Sequence, residues 1–172
     1  MQLKNLIESR YSVRAYLPNV VEREKIDYIL ECARLSPSAC NLQPWRFYVI
    51  TDPVLKQKVE ESYNREWFKS APMQIIVCKD TSISWKRTAT DGKDFSDVDA
   101  AIAAEHICLA TAEQGLGTCW ICNFNPDILN KALNLPPHIE AIAIFPIGYV
   151  NEEKSISPAK VRKQLTDITE WK

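Results

Sequence analysis

The chain has 172 residues, 21 Lys and Arg against 22 Asp and Glu, 46% hydrophobic residues, six Cys and four Gly. That length fits a single domain, 1–172, with a real core, and a formal charge of -1 excludes a dedicated nucleic-acid binder. No apolar run approaches the ~20 residues that span a bilayer, Met-Gln-Leu-Lys-Asn at the start lacks a signal-peptide core, and six cysteines without extracellular signals fit reduced thiols in a cytoplasm.

Along the chain, Arg10-Tyr11-Ser12-Val13-Arg14 puts two guanidinium groups and a hydroxyl within five residues. Guanidinium forks match phosphate bidentately. Ile26, Ile29, Leu30 and Ala33 recur at helical spacing and predict an amphipathic helix over 22–35. Pro37 then stops the helix, and Pro44 closes an ordered, irregular loop. Its Ser38, Asn41 and Gln43 carry groups that can read a flat, polar-edged ring, although the same residues also suit an ordinary turn. A strand is expected over 46–51, a helix over 54–63, an aromatic turn over 67–72 and a strand over 73–78. Residues 80–96 are polar and mixed, with Trp85 alone among charges, and read as a mobile loop or lid.

The longest predicted helix is 98–114, Ala-rich and suited to a buried position, ended by Gly115 and Gly117. A buried strand follows over 118–122. Asn125-Pro126 starts another helix, and 139–149 is a last apolar strand. Residues 151–172 form a polar arm with Ile156, Val161, Leu165, Ile168 and Trp171 at wide intervals. Such a segment has no core of its own and must pack on something else. The order of elements is that of an α+β or α/β layering.

Gly115-Leu116-Gly117 is no dinucleotide fingerprint: it follows a helix, and Trp120 holds the third glycine position. Cys119 and Cys122 form a C-x-x-C. Redox dithiols usually cap a helix, whereas this one lies on a predicted strand with no second ligand pair for zinc, so structural cysteines are favoured. His106 sits within the apolar helix and reads as buried and hydrogen-bonded. No paired carboxylates and no Ser-His-Asp order stand out. That absence suits an enzyme whose cofactor carries the chemistry.

Taken in order, the basic cluster 10–14, the loop Pro37-Ser38-Ala39-Cys40-Asn41-Leu42-Gln43-Pro44-Trp45, Asp91-Gly92-Lys93, Asp97-Val98-Asp99-Ala100-Ala101-Ile102, Gly115 to Ile121, Pro146-Ile147-Gly148-Tyr149 and Lys160 to Leu165 resemble the nitroreductase family of flavin mononucleotide (FMN) enzymes. The resemblance implies an α+β fold, with a mixed, mainly antiparallel sheet flanked by helices. It also implies an interlocked homodimer with two flavins at the subunit interface and the arm 151–172 on the partner. Arg10, Ser12 and Arg14 would form a phosphate and ribityl cradle, with Tyr11 among them as a further cofactor-binding position, and Lys160 and Arg162 would reach the same phosphate. Arg14 would lie nearer the ring, where positive charge favours the reduced cofactor. Pro37, Ser38, Ala39, Asn41 and Gln43 match the flavin-side loop, often supplied by the other subunit, with Gln43 as a possible brace within it. Trp45 reads as core. Trp120 and Ile121 lie where a backbone N–H meets the flavin edge. Many relatives have glycine after this pair, whereas here Cys122-Asn123 follows.

The activity so implied is oxidoreductase chemistry, with NADH or NADPH as donor and a small electron-poor acceptor such as a nitroaromatic or quinone, in ping-pong order. It needs no catalytic side chain, metal, nucleic acid or membrane. Trp67, Phe68 and residues 80–96 are candidates for shaping the acceptor pocket. Two other readings stand beside it: a flavin-binding sensor or storage protein without efficient turnover, and a thiol–disulfide oxidoreductase using Cys119 and Cys122.

Overall fold

Two nearly unbroken apolar runs build the centre of the molecule. The computed structural model describes residues 2–157 and 159–172; Met1 and Pro158, the latter inside the predicted arm, lie outside the described residues. Strands β1 (Trp45–Ile50), β2 (Met73–Asp80), β3 (Gly117–Thr118) and β4 (Ile139–Gly148) form one sheet in the order β1-β2-β4-β3, antiparallel at each pairing. β2 and β4 lie inside the sheet and are covered on both faces, which is why neither shows polar alternation. Ile75, Val77, Phe145 and Ile147 pack on one face, and Ile76, Cys78 and Ile144 on the other. A parallel bridge between Ser12 and Thr118 adds the mixed element at the β3 edge. The fold is therefore the expected α+β sheet flanked by helices.

Helices α2 (Arg23–Arg34) and α5 (Ser96–Glu113) cover the first face, and α3 (Pro53–Glu60), α4 (Glu66–Lys69) and α6 (Pro126–Leu133) cover the second. α1 (Leu3–Ser9) leads into the extended segment that follows it. α2 buries Ile26, Ile29 and Ala33, as the spacing requires. α3 and α6 each begin with a capping side chain and a proline at the first turn. Asp52 accepts from the Leu55 N–H at 2.8 Å, and Asn125 accepts from those of Asp127 and Ile128 at 3.0 and 3.2 Å. Losing such a cap costs about 1 kcal/mol.

Several expectations change. The strand expected over 118–122 pairs only at Gly117 and Thr118; Cys119 and Trp120 leave the ladder, and the chain rejoins it in the same register through a single bridge from Ile121 to Ile144. Trp120 turns its indole onto Phe145, with ring centres 5.3 Å apart, and that packing replaces pairing. Gly115, with φ 71°, ends α5, but Gly117 does not: it belongs to β3, where a Cβ would come 2.8 Å from a Val13 methyl. The expected aromatic turn is partly the helical turn α4, whose Phe68 is buried with Tyr63 and Trp67 edge-on to it. His106 is half-buried rather than fully buried, its Nδ1 2.8 Å from the Ile102 carbonyl.

Residues 84–95 close on themselves. Lys86 bridges to Asp94, Trp85 packs edge-on to Phe95 at 5.2 Å, and Arg87 grips Asp91 through two nitrogens. The arm differs. Beyond a short 3-10 turn at Leu165–Asp167 it has no regular structure among its described residues, and Ile156, Val161, Leu165, Ile168 and Trp171 are all exposed, Trp171 at 95%.

Candidate functional site

Residues 11–17 run extended between β3 and the end of β4. Val13 N–H donates to the Thr118 carbonyl (3.0 Å), and Leu17 N–H donates to that of Tyr149 (2.8 Å). Extended backbone sends successive side chains to opposite sides. Val13 and Ala15 go into the protein, and Arg14 faces out. The arm returns to this outer side. The Tyr11 and Ser155 hydroxyls pair at 3.3 Å, and Lys160 Nζ donates to the carbonyls of Ile7 (3.0 Å) and Glu8 in the last turn of α1. Those carbonyls have no partner within their own helix, so a lysine satisfies them. Arg10, Tyr11, Ser12, Arg14, Ala159, Lys160 and Arg162 thereby line one cavity of about 260 Å³.

The electrostatics of this cavity are lopsided. Four cations line it and no carboxylate does. Among the described residues, Arg10 Nε is buried without a hydrogen-bond partner, and Arg162 Nη1 has only the adjacent Val161 carbonyl, at 3.0 Å. Desolvation, and then the charges of Arg10 and Arg162, pull the Lys160 ammonium below its ordinary value. Arg14 lies over the Trp67 ring at 5.8 Å. A structural ion-pair network would show the reverse, with each cation matched. Donors in excess, with guanidinium forks among them, fit a phosphate dianion.

The loop 37–43 is built differently. Cys40, Asn41 and Gln43 all have φ between 50° and 55°, the left-handed region that non-glycine residues rarely adopt. Each such residue costs on the order of 1–3 kcal/mol and persists only where its surroundings hold it. Within the loop, Gln43 N–H donates to Ser38 Oγ (2.9 Å), Asn41 N–H to the Ser38 carbonyl (3.0 Å), and Gln43 Nε2 to Asn41 Oδ1 (3.2 Å). Gln43 thus braces the loop. Trp45 is half-buried against the core. One bond reaches a distant element: Ala39 N–H donates to Asp99 Oδ1 on α5 at 3.0 Å.

Trp120 and Ile121 lie beside the basic segment through the Ser12–Thr118 bridge. Ile121 is buried, and its N–H and C=O are both spent on Ile144 (3.1 and 2.9 Å). Its N–H is therefore not free to meet a ligand, whereas those of Trp120 and Cys122 have no acceptor among the described residues. Cys119 is buried and Cys122 exposed, with Trp120 Nε1–H donating to Cys122 Sγ at 3.0 Å. Burial pushes the Cys119 thiol up, offset in part by Arg14 and Ser12.

The structure thus brings Arg10, Tyr11, Ser12, Arg14, Lys160 and Arg162 together and sets Trp120 and Ile121 next to them. Among the described residues, no hydrogen bond or shared cavity joins Pro37, Ser38, Ala39, Asn41 or Gln43 to that cluster within one chain. Phe68, expected near an acceptor pocket, is fully buried and cannot line one; Trp67 is half-buried under Arg14. Sequence reasoning missed Asp99, although a lone carboxylate in the apolar stripe of a long helix was a visible signal. A roomier cavity of about 620 Å³ beside α3 takes none of the predicted residues; two glutamates line it.

Comparison with known proteins agrees with this geometry. The profile described as the nitroreductase family matches residues 7–67 and 55–149. A nitroreductase family protein of Clostridium difficile 630 superposes with a TM-score of 0.90 at 35% identity, covering 99% of this chain and 98% of the other. An FMN-dependent nitroreductase of Clostridium difficile R20291 gives 0.74 at 31% identity, covering 91% and 92%. The FMN reductase [NAD(P)H] of Bacillus subtilis strain 168 is 28% identical over 171 residues, 91% of this chain and 68% of that protein.

Proposed function

The chain belongs to the nitroreductase family, and from that premise we propose that it is an FMN-dependent oxidoreductase, passing reducing equivalents from NADH or NADPH to a small electron-poor acceptor such as a nitroaromatic or quinone. The observation that carries this reading is the carboxylate-free cavity where Arg10, Arg14, Lys160 and Arg162 converge from opposite ends of the sequence. The names of the FMN-linked relatives point the same way.

In this reading Arg10 and Arg162 supply guanidinium forks to the phosphate, and the buried, unpartnered Arg10 Nε is one donor waiting for an acceptor. Lys160 has two carbonyl partners on α1, so it ties the arm to the cradle as well as adding charge. Ser12 serves the ribityl chain, and Arg14, held over Trp67, supplies positive charge near the ring. With the Ile121 N–H spent, contact to the ring edge passes to the N–H of Trp120 or Cys122. FMN, when bound, supplies the hydride chemistry itself. The chain contributes binding, orientation and local charge, and no side chain needs to act as nucleophile or obligate acid.

The exposed apolar residues of the arm support a homodimer in which the arm packs on the partner subunit. The loop 37–43 then reaches the cradle of the second copy, and the connection 81–95 between β2 and α5, closed on itself, serves as the cover of the acceptor side. Six free cysteines fit a reducing compartment, and the cytoplasm is the proposed location. Among the described residues no helix is long and apolar enough to cross a membrane.

The test is an absorbance scan of the purified protein, chromatography of the released cofactor, and anaerobic addition of NADH and NADPH. Yellow protein that releases FMN and bleaches with a nicotinamide is the expected result. Release of FAD, or no saturation by FMN, overturns the cofactor assignment. FMN bound at one per chain without bleaching by either donor supports the sensor or storage reading instead.

A further inference from the structure

We propose that Asp99 is a positioning residue for the flavin-side loop, helping to hold Cys40, Asn41 and Gln43 in their left-handed conformation through a single bond from α5 to Ala39. The inference rests on the FMN reading above, since it is that reading which gives the loop its role.

Three consecutive facts lead to it. First, the loop carries left-handed backbone at Cys40, Asn41 and Gln43, which needs outside support. Second, the other hydrogen bonds of 38–43 stay within the loop or reach its immediate neighbours, so they shape it without placing it. Two bonds tie it to distant elements: the Asp80 N–H of β2 donates to the Pro44 carbonyl at its closing end (2.9 Å), and among the described residues only the Ala39 N–H to Asp99 Oδ1 bond does so within 38–43. Third, Asp99 is 3% exposed, and its Oδ2 is buried with no hydrogen-bond partner among the described residues. A buried carboxylate oxygen without a partner is unfavourable. Alanine would suit this stripe of α5 better, flanked as it is by Ala100, Ala103 and Ala104. A carboxylate here is explained by what its other oxygen holds.

The base of Asp99 is itself fixed. Asp97, two residues earlier, pairs with Lys79 of β2 at 3.0 Å, and Ser96 N–H donates to Asp94 Oδ1 at 2.7 Å. α5 also packs along α2 and the sheet. The first turn of α5 is therefore a rigid post, and one hydrogen bond from it holds the start of the loop, while the pairing of Pro44 and Trp45 with β2 holds its end.

The experiment compares full-length wild type with Asp99→Ala, Asp99→Asn and Ala39→Pro. Asparagine keeps an acceptor at the same place. Proline at 39 removes the donor from the loop side; it is compatible with the extended Ser38 before it (ψ 159°) and leaves α5 untouched. Asp99→Ala and Ala39→Pro should each speed amide exchange in residues 40–43 about 10-fold or more, weaken FMN binding about 10-fold and shift the bound-flavin absorption band. Asp99→Asn should restore all three, and Asp99→Ala with Ala39→Pro combined should be no worse than either alone. Wild-type-like exchange and flavin spectrum in Ala39→Pro would overturn the proposal, as would Asp99→Asn behaving like Asp99→Ala. Should Asp99→Ala not fold, Asp99→Asn and Ala39→Pro decide the matter. If wild type itself takes up no FMN, the FMN reading fails, and amide exchange alone then decides whether Asp99 holds the loop.

Discussion

The loop 37–43 and the arm 151–172 are both irregular, yet they are stabilised in opposite ways. The loop is short, internally bonded and tied to α5, and it keeps three left-handed residues in place. The arm is long, touches its own subunit at Ser155 and Lys160, and leaves five large apolar side chains in water. One segment is completed by its own chain, and the other is not. Irregular backbone thus differs in kind here: the loop presents a fixed shape, whereas the arm brings charge to a cradle and leaves an apolar surface uncovered, the surface that the proposed dimer would bury.

Deleting 151–172 tests this contrast most severely. It removes Lys160 and Arg162 together with the exposed apolar residues, so flavin retention and dimerisation should be lost together. Ultracentrifugation of full-length and truncated protein, with flavin absorbance recorded, checks it. A stable, flavin-loaded full-length monomer would show that the arm needs no partner.

Arg162→Ala isolates the charge from the apolar surface. A charged hydrogen bond contributes roughly 1.5–3 kcal/mol, so the FMN dissociation constant should rise ~10- to 100-fold. The dimer should survive, as read by gel filtration. Unchanged affinity in a titration would remove Arg162 from the cradle.

Acid tests what stands behind the α5 end to which the loop is tied. The strand-to-helix connection leading into α5 depends on carboxylates. Burial would raise Asp94, but hydrogen bonds from Ser84 and Ser96 and the charge of Lys86 hold it at about 2; Arg87 and the Lys93 N–H hold Asp91 at about 2. Both folded values lie below the unfolded value near 4. Their stabilisation is therefore present above about pH 4 and lost as pH falls toward 2. Protection factors for the amides of 84–95, corrected for the intrinsic pH dependence of exchange, should fall over that window, ahead of those of the β2 and β4 core. Equal protection factors at pH 5 and pH 2.5 would contradict the assignment.

The smallest expected effect is that of Cys119→Ser. A buried thiol pushed up by its surroundings is no ready thiolate. Turnover per bound flavin should stay within a few-fold of wild type, and complete loss in a folded, flavin-loaded variant would revive the dithiol reading.

Local signals were legible in the sequence because their causes are local. The Asn125-Pro126 start, the 22–35 helix and the two apolar strands follow from capping and periodicity, which involve neighbours a few residues apart. The basic cluster and the Pro37–Pro44 loop stood out by composition, and their order along the chain pointed to the family. The meeting of Arg10 with Arg162, the loss of the Ile121 N–H to Ile144, the burial of Phe68 and the bond from Ala39 to Asp99 were decided by tertiary structure alone. Each depends on which distant segments pack together and which groups they leave unpaired. Residue type and spacing carry no record of that, because hydrogen-bond satisfaction and burial belong to the assembled core.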